Sequence, residues 1–114
     1  MNPIEIMEQL YKGLADLEKG NIRLNNLSVE KNEAERIYRI ELAKKILMLR
    51  IDKCPVSIIH DLARGDERIA ELRFKRDVAK SNYYTCKSAI DNLKSKIEVN
   101  RSLLTWQRFE LTNS

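Results

Sequence analysis

The side chains in this chain that could do chemistry are few and scattered. One histidine, His60, stands beside Asp61, and the two cysteines, Cys54 and Cys86, are far apart. A histidine next to a carboxylate invites a general-base reading, but adjacent residues on a helix project about 100° apart and do not face each other. His60 then reads more simply as a surface or hinge-packing residue. One imidazole and two separated thiols do not make the ligand cluster that zinc needs. No glycine-rich phosphate loop and no nucleophile elbow occurs. We therefore expect no catalytic residue, no metal and no cofactor, and a protein that is not an enzyme.

What remains is charge. The chain has 114 residues and a formal net charge of +4, unevenly spread. Residues 1–35 carry four basic and seven acidic groups, a balance of −3, so the rest carries +7. Between residues 36 and 53, six cations (Arg36, Arg39, Lys44, Lys45, Arg50 and Lys53) face only Glu41 and Asp52. Further along come Arg64, Arg73 and Lys75, with Arg68 and Arg76 in the same run. Clustered cations favour an anionic partner, and a nucleic-acid backbone is bound mainly through such groups. The plainer reading is a solvated helix face, with Asp61, Asp66, Glu67, Glu71 and Asp77 neutralising part of the second cluster. Tyr83, Tyr84, Trp106 and Phe109 fall too far along the chain to interleave with the cations, so a base-stacking platform is not expected.

These side chains must be positioned by helices. Glycine and proline number only 3 and 2, and a third of the residues are charged, a composition suited to long solvated helices. From Ile69 to Leu111, apolar residues recur at alternating steps of three and four: Ile69, Leu72, Ala79, Tyr83, Cys86, Ile90, Leu93, Ile97, Leu104 and Leu111. That spacing keeps one helix face against a partner helix. Arg76, Asn100 and Gln107 occupy the same stripe and are candidates for fixing its register, with Arg76 alternatively snorkelling to water.

The first half supplies the partner. Asn2 and Pro3 suit a helix start, and Met7, Leu10, Leu14, Leu17, Asn21 and Leu24 give a second stripe. The expected helix covers 4–52, kinked or broken near 19–28, where Gly20, Asn25, Asn26 and Ser28 weaken it. Its later part is apolar in almost every direction, more than one partner helix can cover. Ile37, Ile40, Leu47, Met48 and Ile51 are therefore candidates for an oligomer interface or a bundle core. Pro55 ends the helix. Ser57 can cap a short helix over 57–64, closed by Gly65, and Asp66 can cap a final helix over 66–111 that frays near Leu111. The fold class predicted is all-α: one domain, an antiparallel, coiled-coil-like hairpin of two long helices joined by a short helical turn, and oligomeric. No run approaches the roughly 18 apolar residues of a membrane span, and the N-terminus does not read as a signal peptide. Two cysteines make no disulfide framework, so a cytoplasmic protein with reduced thiols is expected.

The run Pro55-Val-Ser-Ile-Ile-His-Asp-Leu-Ala-Arg-Gly-Asp66, then Ala70-Glu-Leu-Arg-Phe-Lys-Arg-Asp77, resembles small helical proteins of phage and prophage early regions, as does Ser102-Leu-Leu-Thr-Trp-Gln107. The resemblance covers roughly residues 35–108, in a group mostly without assigned function. In layout the chain is more remotely similar to UvsY-type phage recombination mediators, on the basic helix near 36–50, the Arg-Gly-Asp turn at 64–66 and the Tyr/Cys-bearing helix from Asp77. That similarity implies an oligomer that binds single-stranded DNA and helps load a recombinase onto strands covered by single-strand-binding protein. The function expected is that of a non-enzymatic phage-type accessory protein in DNA recombination or replication. It would bind single-stranded DNA or a DNA-binding partner. The alternatives are an interaction module that inhibits or adapts a host protein, and a structural coiled-coil scaffold.

Overall fold

The computed structural model describes residues 2–113. Three helices follow in order: α1 over Pro3–Ile51, α2 over Ile59–Gly65 and α3 over Glu67–Asn113. No strand occurs among the described residues. The all-α hairpin of two long helices with a short helical connection is the observed fold, and each boundary has a local cause.

At the start of α1, Asn2 Oδ1 accepts from the Glu5 backbone N–H at 2.9 Å, while the Glu5 carboxylate accepts from the Asn2 N–H at 3.4 Å. This reciprocal box satisfies two amide groups that have no partner inside the helix, and Pro3 occupies the first helical position, where no donor is lost. α1 then continues through Gly20, Asn25, Asn26 and Ser28, so the expected weak zone at 19–28 is helical throughout.

The far end of α1 closes through the backbone. The Cys54 N–H reaches the Leu49 carbonyl at 2.9 Å and the Lys53 N–H reaches the Arg50 carbonyl at 3.0 Å. Lys53 has φ of 60°, in the left-handed region. These are the paired bonds of a Schellman closure, which usually places glycine where Lys53 stands. Gly65, expected to be the closing glycine, instead lies inside α2, and no glycine has a positive φ. Ile58, not Ser57, takes the cap position of α2, without a side-chain bond. Asp66 does cap α3, its Oδ2 accepting from the Ile69 N–H at 3.2 Å. The expected fraying near Leu111 is absent, with α3 helical through Asn113 and Thr112 Oγ1 bonded to the Arg108 carbonyl at 2.9 Å.

The chain divides into two compact units. The first joins the residues up to Asn25 with those from Tyr84 onward, and the second is Asn26–Tyr83. In the first unit the helices run antiparallel, Gly13 meeting Ile97 and Gly20 meeting Ile90. The α3 stripe is as the spacing predicts: Ile90 and Ile97 are buried, and Cys86, Leu93, Asn100, Leu104 and Gln107 are half-buried. Leu111 is exposed.

The α1 stripe is rotated from expectation. Leu10, Leu17 and Leu24 are half-buried as predicted, but Met7, Leu14 and Asn21 are exposed. Ile6, Gly13 and Gly20 take their places on the seam. A Cβ added at Gly13 would lie 3.1 Å from Ile97 Cγ1, and one at Gly20 would lie 3.2 Å from Ile90 Cγ1. Each isoleucine thus rests on bare backbone, and the Cys86 thiol points to the Gly20 carbonyl at 3.9 Å. Gly20 is a packing residue.

The second unit is built around larger groups. Tyr38, Ile69 and Leu72 form its buried cluster, with Ile37 and Leu42 packed against them. Burying such a side chain contributes about 1.5–3 kcal/mol. On α2, Ile59 and Ala63 are buried four residues apart, so one face of this short helix is drawn into the unit. Ile37 is accordingly a core neighbour and not part of a free interface.

Candidate nucleic-acid interface

The cations singled out by sequence all belong to the second unit, but they are not equivalent. Arg36 donates to Glu33, its Nε lying 3.0 Å from the carboxylate. The hydrogen bond holds the Glu33 carboxyl below its ordinary value and raises that of Arg36. Arg39 Nε donates to Glu35 at 2.7 Å, which likewise depresses the Glu35 carboxyl. Lys44 lies 3.7 Å from Glu41. All three are short-range pairs within α1, open to solvent and therefore weak.

Lys45 is different again. Half-buried, it reaches across to Asp66 at 3.3 Å and ties α1 to the cap of α3. Asp66 is held below its ordinary value, first by the Ile69 amide and then by Lys45. A residue so placed is a clamp in the fold, and its charge is spent internally.

Five cations remain: Arg50, Lys53, Arg64, Arg73 and Lys75. Among the described residues none has an acidic group within ion-pair distance, unlike the four just described. Arg50, Lys53 and Arg64 are exposed around the connection between α1 and α3, and Lys53 projects from the left-handed closure. Arg73 is half-buried on α3. Lys75 edges an apolar groove of about 330 Å³ formed by Val29, Ala34, Ile37 and Leu72, with Glu30 and Glu33 on the other rim. Of the nine candidates these five stand without an acidic partner among the described residues, whereas the charge of the other four is partly offset.

Arg76 is the polar residue whose role is clearest. Its guanidinium lies 4.5 Å from the Tyr38 ring centroid, 3.6 Å from Glu35 Oε2 and 3.0 Å from Asp77 Oδ1. It lies across the helix pair, stacked on one partner and charge-matched to another, an arrangement that only one register permits. Lys31 also reaches across the pair, its Nζ 5.1 Å from the Tyr83 ring centroid. Sequence reasoning found Arg76 but missed Lys31 and Glu35, because a charged residue at a stripe position reads as an interruption until its partner is known.

The oligomer candidates Ile40, Leu47, Met48 and Ile51 are all exposed, Ile51 at 69%. On α3, Trp106 and Phe109 stack with ring centroids 5.9 Å apart and are both exposed. They border a shallow groove with Glu98, Arg101, Ser102 and Thr105. His60 is exposed on α2. Among the described residues no group of three or more His, Cys, Asp or Glu side chains is placed to hold a metal ion. Among the described residues no helix is long and apolar enough to cross a membrane. No family model, curated protein or solved structure matches this chain.

Proposed function

We propose that this is a non-enzymatic accessory protein of phage-type DNA metabolism, acting in recombination or replication. It holds single-stranded nucleic acid, or a partner bound to it, through phosphate contacts at the hairpin connection. The observation that carries this reading is the set of exposed, acid-free cations Arg50, Lys53 and Arg64 around the connection. Lys53 adds weight, because a non-glycine residue in the left-handed region is a backbone strain that tends to persist at functional positions. Its two free thiols suit the reducing cytoplasm.

The test is binding of a labelled single strand as a function of salt. Each phosphate contact contributes about −0.7 to the slope of log K against log salt for single strands. Replacing Arg50, Lys53 and Arg64 together by alanine is expected to flatten that slope by about 2. Undetectable binding at about 50 mM salt, where such contacts are strongest, would sink the reading.

A second reading is favoured by a different surface. The exposed, stacked Trp106–Phe109 pair fits an anchor for a protein partner, since aromatic anchors dominate interface energetics. In that case the protein binds and inhibits or adapts a host protein. Trp106→Ala would abolish capture of that partner and leave the salt-dependent DNA binding unchanged.

A further inference from the structure

The large apolar side chains that α1 leaves exposed follow a regular pattern. In the first unit they are Ile4, Met7, Tyr11, Leu14 and Ile22, the first four at steps of three, four and three. In the second unit they are Val29, Ile40, Leu47, Met48 and Ile51, with Ile40, Leu47 and Ile51 at steps of seven and four. Steps of this kind place residues on one side of an α-helix. In the second unit, the side bearing Ile40, Leu47 and Ile51 is opposite the side that packs inward through Tyr38, Leu42 and Leu49. Folding has therefore left two apolar stripes on α1 uncovered, one in each unit.

Their charged borders differ in sign. Around the first stripe, residues 4–22 carry Glu5, Glu8, Asp16 and Glu18 against Lys12 and Lys19. Around the second, residues 29–51 carry Lys31, Arg36, Arg39, Lys44, Lys45 and Arg50 against Glu30, Glu33, Glu35 and Glu41. By helical spacing, Glu8 and Glu18 lie along or beside the first stripe, and Arg36 and Lys44 beside the second. All four are exposed. The pairs Arg36–Glu33 and Lys44–Glu41 dilute the positive border without reversing it.

We propose that a second copy of this chain covers these stripes, the acidic stripe of one copy packing on the basic stripe of the other. The apolar residues supply the attraction, as they do at any helix–helix interface. The unlike borders choose which stripe meets which and disfavour like-with-like pairing. Because every copy carries both stripes, each can give and receive the same contact, the condition for a symmetric association. This goes beyond the DNA reading and does not depend on it, since the two cations that border the stripe and are reversed below, Arg36 and Lys44, are not in the acid-free set at the connection.

Two charge-reversal variants test the proposal without nucleic acid present. In the first, Arg36→Glu and Lys44→Glu give both stripes an acidic border. In the second, Glu8→Lys and Glu18→Lys give both a basic one. Light scattering of the wild type is expected to show association that weakens with salt, as exposed charge pairing must. Each variant alone is expected to dissociate at least tenfold more readily, a change of about 1.4 kcal/mol. Mixed in equal amounts, the two should associate again, because one is acidic where the other is basic. Recovery on mixing also shows that neither variant has simply failed to fold, and unchanged helical circular dichroism of each checks this separately. A monomeric wild type, variants that associate as tightly as the wild type, or a mixture that stays dissociated would each overturn the proposal.

Discussion

The two units solve the same problem, holding α1 against α3, by opposite means. In the first, the helices meet through absence: Gly13 and Gly20 present bare backbone to Ile97 and Ile90. In the second they meet through bulk and charge. Tyr38 carries the Arg76 guanidinium, Glu35 faces it, Lys31 covers Tyr83 and Lys45 reaches Asp66. A seam of glycine against isoleucine has no charge to titrate or screen, but it is intolerant of added volume. A charged and aromatic seam specifies register, tolerates small changes of volume, and answers to pH and salt.

The largest effect should come from adding volume to the glycine seam. Gly13→Leu or Gly20→Leu forces a side chain where even a Cβ comes within 3.2 Å of an isoleucine, and overpacking of this kind costs about 1–3 kcal/mol. Gly65 is the control, since a Cβ there meets nothing within 4 Å. Denaturant titration of the three variants would show the contrast. A Gly13→Leu protein as stable as the wild type would mean that the close approach is not what holds the first unit.

A smaller gain is expected at the connection. Lys53→Gly removes the penalty of a left-handed side-chain-bearing residue and should stabilise the hairpin by up to about 1 kcal/mol. The same denaturant curves would read it. If Lys53 touches phosphate, this variant gains stability while losing DNA affinity.

The smallest effect distinguishes the units by acid. Glu35 and Asp66 have carboxyls held below their ordinary values by partners in the second unit. A depressed carboxyl contributes stability that is complete above its unfolded-state value, near 4, and is lost as pH falls through the folded one. Amide exchange followed below that ordinary value should show protection falling first around Tyr38 and Ile69, with Ile90 and Ile97 holding longer. Equal loss in both units would show that the ion pairs contribute nothing to the difference.

Much of this fold is legible in the sequence, and the failures have a common origin. The α3 stripe could be read directly because its apolar residues coincide with its inward face. The proline stop at 55 and the caps at Asn2 and Asp66 were equally local signals. The α1 stripe was misread by one residue because Met7 and Leu14 are more apolar than the glycines that displace them. Hydropathy credits a glycine with nothing, whereas the packing of Ile90 and Ile97 needs its emptiness. The same blindness makes Gly20 read as a weak point of the helix, while Gly65 reads as a closing glycine on its helix-end preference alone, without the positive φ that role needs. Among the nine candidate cations, sequence supplied positions but not partners. Glu33, Glu35 and Glu41 are three or four residues from Arg36, Arg39 and Lys44, which is a readable spacing. The Lys45–Asp66 clamp spans the connection and could be seen only once the hairpin was closed.

The closure at Lys53 has a consequence for what the connection can become. Its two defining hydrogen bonds run from the Lys53 and Cys54 amides to the Arg50 and Leu49 carbonyls, so the stop is written into the main chain. The stretch from Pro55 to Ser57 is exposed and carries none of the buried side chains. Chain could be spliced in there, a loop of new composition or a whole guest domain, with little disturbance to the helices on either side. That makes the connection the place where a descendant of this sequence, or an engineer, could exchange one specificity for another while the hairpin stays as it is.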